Sequence, residues 1–280
     1  MAEDESHLSD SNGGAYMLFF GALVLFLASS LVLSQFFVLH AHIIGAQIIA
    51  ILGSALLFRA IVGDAVAPWP ALDRLGGGPL ALLVLALACV GLAFTANITT
   101  SLLVELVPAL KDFAEQYQAL IEELILDATG WTKVVAIVSV TLVAPLCEET
   151  LFRGTILQEQ RKVESAQVAI IINGFLFSIF HINPVGFLSL WLVGAFFAHL
   201  TLSSGTLWMP ILAHAFFNFF NSTILPAFAP ELEKIESSYG ADDLAIALLL
   251  FAPLTAGLWA LTVLLIRRHK PHDEIVEDNA

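Results

Sequence analysis

The sequence predicts an all-α fold, a polytopic transmembrane helical bundle of about eight spans with one amphipathic surface helix. Two observations of composition carry that class. The chain is 58% hydrophobic and only 13% charged, with a mean hydropathy of +0.87, where a soluble domain usually has about 25% charged residues. Apolar runs long enough to cross a bilayer, roughly 20 residues each, recur from Tyr16 to Ile266 with short polar interruptions. A third observation supplies the surface helix: from Leu102 to Asp127, apolar residues at helical spacing alternate with Glu105, Lys111, Asp112, Glu115, Glu122 and Glu123.

Taken in order, the expected spans are 16–39, 43–63, 79–98, 133–157, 166–183, 185–203, 206–228 and 243–266. The N-terminal stretch is acidic and lacks the positive start of a cleavable signal peptide, so Tyr16 to Leu39 reads as a retained first span. No repeat and no long linker divides the chain. The expected organisation is an acidic tail over 1–15, one membrane domain over 16–266, and a second tail over 267–280.

Lys and Arg near span ends are retained on the cytoplasmic side. With both termini inside, Arg59, Arg74, Arg153, Arg161, Lys162, Arg267, Arg268 and Lys270 fall inside and Lys111, Lys133 and Lys234 outside. A bacterial inner membrane with both termini cytoplasmic is the expected location. The net charge of -14 leaves no basic patch for phosphates and argues against nucleic acid as a partner. Cys89 and Cys147 both fall in apolar runs and form neither a disulfide framework nor a metal signature.

Ionisable side chains within apolar spans are costly unless paired or hydrated, which makes each a functional candidate. Here they are Glu148, Glu149 and Arg153 in VAPLCEETLFRG, His181 in GFLFSIFHINP, His199 in GAFFAHLTLSSG, and His214 with Asn218 in MPILAHAFFNFF. Glu149 and Arg153 are four apart on one helical face, so Arg153 neutralises Glu149 and leaves Glu148 free. Pro145 removes a backbone donor and opens helix carbonyls just before Glu148. Gly174 and Ser178 on the stripe of His181 let another helix come close. If the fourth and fifth spans turn near Val163–Ser165, Glu148 and His181 each lie ~24–26 Å from the bend and come out level. His214 and Asn218, also four apart, share one face of the seventh span.

For each group there is a structural alternative. His199 reads as an interhelical hydrogen-bonding residue and stays out of the site. A buried ion pair would account for Arg153 and one carboxylate but not the second. His214 and Asn218 could be packing glue. Cys147 has no assured base and reads as small apolar packing rather than a nucleophile. The Phe-rich stripes, including Phe175, Phe177, Phe180, Phe216, Phe217, Phe219 and Phe220, read as lipid-facing or packing surface.

Glu148-Glu149-x-x-x-Arg153, Phe177-x-x-x-His181 and His214-x-x-x-Asn218, in this order and each in an apolar span, resemble the CAAX protease and bacteriocin-processing family, which includes the type II prenyl-protein endopeptidases. The likeness covers about residues 133 to 223 and extends to Gly194 and the turn Ser203–Thr206. The resemblance implies a helical membrane fold that cuts a peptide bond near the end of a membrane-associated protein or peptide. Glu148 with His181 would deprotonate water, and His214 and Asn218 would donate to the oxyanion. Glu149 and Arg153 would support them. No cofactor is the favoured expectation; the alternative is zinc on Glu148, His181 and His214. The competing functions are a non-catalytic immunity or scaffold protein of the same fold and a small transporter, although the chain lacks the repeated broken spans of many transporters. Prenylated CAAX tails, leader peptides and C-terminal sorting signals all remain open as substrates.

Overall fold

The computed structural model describes residues 13–36, 39–63, 67–72, 75–228 and 240–268. The outer parts of both tails, Arg74, Lys234 and Lys270 lie outside the described residues. Helices run in the order α1 (Gly13–Leu33), α2 (Ala41–Val62), α3 (Pro79–Leu106), α4 (Lys111–Ile121), α5 (Gly130–Gln160), α6 (Ala166–Phe180), α7 (Phe187–Ser204), α8 (Trp208–Phe219) and α9 (Ala241–Arg267). Among the described residues the strand-like pairing is a single bridge, Ala71 to Thr206.

Six of these, α1, α2, α3, α5, α7 and α9, are long and apolar enough to cross a membrane. The expected fifth and seventh spans differ. α6 has 15 residues and stops at Phe180 rather than 183, because Ile182 takes φ +49 and Asn183 precedes a proline, a position that disfavours helix. α8 continues through a wide π turn, Phe220–Ile224, to Leu225–Ala227, and its apolar run is interrupted by His214, Asn218 and Asn221.

The surface helix also begins later than its charge pattern suggested. α3 runs on to Leu106 because nothing breaks it before Val107, whose φ −127 and ψ +80 lead into Pro108. Only then does α4 begin, at Lys111, with no buried residue. An amphipathic helix with one apolar stripe and nothing buried within the bundle is suited to a membrane surface.

Small residues set the helix spacing. A Cβ on Gly174 would lie 2.6 Å from the backbone nitrogen of Ala195, and one on Gly194 would lie 2.9 Å from Gly174 Cα. α6 and α7 therefore cross backbone against backbone. Ser178 Oγ adds a 2.6 Å hydrogen bond to Phe187 O at the end of that seam. α3 packs along α9 in the same way at Gly91, where a Cβ would lie 2.7 Å from Thr255 Oγ1. His199 accepts from Trp259 Nε1 at 2.9 Å and joins α7 to α9.

One end of the bundle is strapped together by the segment before α3. Ala71 exchanges backbone bonds with Gly205 and Leu207 at 2.9 and 3.1 Å, and Ala67 N–H donates to Glu159 at 2.7 Å. Arg59 donates to Ala67 O and Gly154 O while its guanidinium lies 4.2 Å over the Trp69 ring. The ends of α2, α5, α7 and the start of α8 thus share one level.

Candidate active site

Glu148 and Glu149 occupy a short α-helical stretch of α5, Ala144–Leu151, between two π turns, Ser139–Val143 and Phe152–Ile156. In a π turn each N–H reaches back five residues; Ala144 N–H accordingly bonds Ser139 O. The next residue in that pattern is Pro145, which has no N–H to give Val140 O. Asn218 Nδ2 supplies the missing donor at 2.9 Å. The carbonyl that Pro145 releases is therefore taken by a side chain from α8, which docks the His214–Asn218 face onto the turn preceding Glu148.

Glu149 and Arg153 form the expected i,i+4 pair at 2.9 Å, and both are fully buried. A guanidinium there must recover the hydration it loses. Arg153 Nη2 also donates to Gly194 O at 2.7 Å, and its carbon lies 4.6 Å from the Phe177 ring centroid, with Phe197 and Phe152 further out at 5.5 and 5.7 Å. The close crossing at Gly174 is what brings the Gly194 carbonyl within reach.

The same Glu149 Oε1 receives His214 Nδ1 at 2.8 Å. A carboxylate held by Arg153 acts as acceptor, so Nδ1 carries the hydrogen. His181 is fixed the same way by Phe177 O at 2.8 Å; a carbonyl can only accept, so Nδ1–H is again the donor. In their neutral forms both rings then present a bare Nε2. Each Nε2 lies 3.9 Å from Glu148 Oε2. That oxygen is buried and has no hydrogen-bond partner among the described groups. Phe197 stacks on the His214 ring at 4.8 Å, and Phe177 packs against both imidazoles.

The structure thus brings Glu148, His181 and His214 to one point and anchors Asn218, one turn further along α8 from His214, on Val140 O in the π turn before them. His181 caps the end of α6 instead of lying within the helix. Cys147 is buried in the apolar cluster with Leu151, Phe152 and Phe177. Three features escape sequence reasoning: Glu149 orients His214, the Phe177 carbonyl sets the His181 tautomer, and Tyr117 of α4 reaches the site's edge. The Tyr117 side chain is 40% exposed, yet its hydroxyl is largely enclosed, close enough to the Asn183 side chain and the Glu148 carboxylate to feel both. Burial pushes that hydroxyl above its ordinary pKa, the Glu148 carboxylate pushes in the same direction, and the neighbouring Asn183 side chain opposes both.

A zinc ion held tetrahedrally at about 2.1 Å from each donor draws the donors to about 3.4 Å from one another. The 3.9 Å separations are wider than that, and among the described residues no group of three or more His, Cys, Asp or Glu is placed to hold a metal ion. The donors do not fit zinc as they stand, and no step below is routed through one.

Neither a curated protein nor a solved structure matches the chain. The sequence pattern of the Rce1-like family, described as type II CAAX prenyl endopeptidase Rce1-like, matches residues 130–220. That stretch runs from the start of α5 through the His214–Asn218 turn and contains every residue of the cluster just described. Over that stretch, about a third of its length, the chain is similar to the type II CAAX prenyl endopeptidase family.

Proposed function

We propose that the chain is a metal-free glutamate endopeptidase that hydrolyses a peptide bond near the terminus of a membrane-associated polypeptide. The observation that carries this reading is the buried, unpartnered Glu148 Oε2 facing two imidazole Nε2 atoms at equal distance. Two acceptors 3.9 Å apart suit a water at about 2.8 Å from each, within the reach general base catalysis requires.

In the first step Glu148 takes one proton from that water while His181 Nε2 accepts the other hydrogen and aims a lone pair at the scissile carbonyl. The water oxygen bonds the carbonyl carbon, and the carbonyl π electrons move onto oxygen. With a second proton on Nε2, His214 donates it as a hydrogen bond to this oxyanion while Glu149 holds Nδ1–H. Asn218 can donate its second amide hydrogen, the first being held by Val140 O. As the C–N bond breaks, Glu148 returns its proton to the leaving amine and the carboxyl product departs. Water and peptide become acid and amine with Glu148 restored.

Glu149 and Arg153 touch no reacting atom in this scheme. Arg153 pairs with Glu149 in an apolar site, and Glu149 keeps His214 turned toward Glu148. Cleavage of a membrane-anchored reporter by wild type and by Glu148→Gln tests the assignment, with activity expected only in the former.

A further inference from the structure

Glu148 and His214 belong to different helices, and counting along each helix from the two residues leads to the same place. Six residues after Glu148 comes Gly154, inside the π turn Phe152–Ile156. Seven residues before His214 comes Leu207, the cap from which α8 starts. A Cβ on Gly154 would lie 3.5 Å from Leu207 Cδ2, so α5 and α8 meet there. Each candidate catalytic group is about two helical turns, roughly 10 Å, from that joint. Equal arms bring the two groups level, in keeping with their 3.9 Å contact.

α5 is irregular at this joint. A π turn departs from the α-helical ladder, and here three of its carbonyls are served by side chains. Asn173 Nδ2 donates to Phe152 O at 3.0 Å, Gln158 Nε2 to Arg153 O at 2.9 Å and Arg59 Nη1 to Gly154 O at 3.2 Å. The space beside the widened turn is filled by Trp69. A Cβ on Gly154 would lie 2.4 Å from Trp69 Cζ3, so the indole rests on the glycine backbone where any side chain would displace it. The Arg59 guanidinium, 4.2 Å over the ring, holds its other side. The strap that carries Trp69, residues 67–72, is bonded to both partners of the joint. Ala67 N–H reaches Glu159 of α5, and Ala71 pairs with Gly205 and Leu207. Trp208 Nε1–H adds a bond to Leu72 O at 2.7 Å.

We propose that this strap sets the spacing between Glu148 and His214, with Trp69 as the positioning residue that wedges the π turn of α5 against the start of α8. Trp69 touches no reacting atom. It acts through the two helices, by fixing where each arm begins. Its effect on turnover rests on the endopeptidase reading, whereas the spacing stands on the joint without it.

The test measures spacing and rate separately, in the full chain. Nitroxide labels at Leu146→Cys and Leu212→Cys, exposed positions two residues before Glu148 and His214, report the distance between α5 and α8. Cys89 and Cys147 are buried and give the background. Trp69→Ala should shift or broaden the label-to-label distance, and Trp69→Phe should restore it. With a membrane-anchored reporter and rates normalised to the folded fraction, Trp69→Ala should lower kcat about 10²-fold, the scale of a misplacement of about 1 Å. KM should stay within about twofold of wild type, and Trp69→Phe should recover most of kcat. A wedge that only stabilised the fold would lower the melting temperature and leave kcat per folded molecule unchanged, which would overturn the proposal. Gly154→Ala drives a methyl group into the indole and should be slow when Trp69 is present, yet add little to Trp69→Ala, where the ring is gone. Rate losses that multiply in that double variant would overturn the joint. An unchanged label distance in Trp69→Ala would overturn the spacing role whatever the activity. Activity retained by Glu148→Gln would instead overturn the endopeptidase reading, and the label distances would still decide the role of Trp69.

Discussion

Asn218 of α8 donates to the carbonyl of Val140 on α5, at 2.9 Å, in the place where Pro145 has no N–H to offer. One amide thereby compensates a helix defect and fixes the spacing between the two helices that carry the candidate catalytic groups. Replacing it removes a structural bond and, in the proposed mechanism, an oxyanion donor, and the two can be separated. Asn218→Ala should lower stability by about 1–3 kcal/mol, the cost of an unserved carbonyl, and slow cleavage by about 10²–10³. In a Pro145→Ala background the backbone N–H returns to serve Val140. There, Asn218→Ala should keep its rate loss and lose much of its stability loss. Melting curves and rates for the four-member cycle check this; equal stability loss in both backgrounds would refute the compensation.

Glu149 receives both Arg153 and His214 on one oxygen. Glu149→Gln strands a fully buried guanidinium, which costs about 3–5 kcal/mol where a buried pair is broken. It also leaves the His214 ring without the acceptor that holds its tautomer. The variant should express poorly and melt early, and the fraction that folds should remain slow. A double variant, Glu149→Gln with Arg153→Met, should recover much of the stability, since no charge is left stranded, without recovering the rate. Detergent-phase melting and single-turnover cleavage on the folded fraction separate the two effects.

Gly174 faces the α7 backbone with no room for a methyl group, the nearest atom to a Cβ being Ala195 N at 2.6 Å. Gly174→Ala should push α6 from α7 and draw the Gly194 carbonyl away from Arg153. The expected loss is about 1–3 kcal/mol or more, read as a lower melting temperature. Gly21, on the other hand, has nothing within 4 Å of a Cβ, and Gly21→Ala should be nearly silent in the same measurement.

What sequence could read of this site was set by local spacing. The Glu149–Arg153 pair follows from i,i+4 geometry, and the common level of Glu148 and His181 follows from counting residues to a hairpin. The helical class follows from composition, and the release of a carbonyl by Pro145 from proline chemistry. What remained hidden depends on how helices approach. Glu149 meets His214 65 residues away, and the partner of the freed carbonyl comes from 78 residues away. The π turns on either side of Glu148 have no signature in a 3.6-residue period, and they decide which carbonyl is left unserved. The early end of α6 at Phe180 turns on the backbone of Ile182, whose positive φ its side chain gives no reason to expect. Tyr117 was legible only as part of an amphipathic face.

The central claim is that Glu148 and His181 act on one water, and the most direct measurement is the cleavage rate of Glu148→Gln, His181→Ala and their double variant, each with a melting curve. The account requires both single variants to be folded and inactive, and the double to be hardly slower than either, because groups acting as a unit are not additive. Substantial cleavage by folded Glu148→Gln, or rate losses that multiply in the double variant, would contradict it.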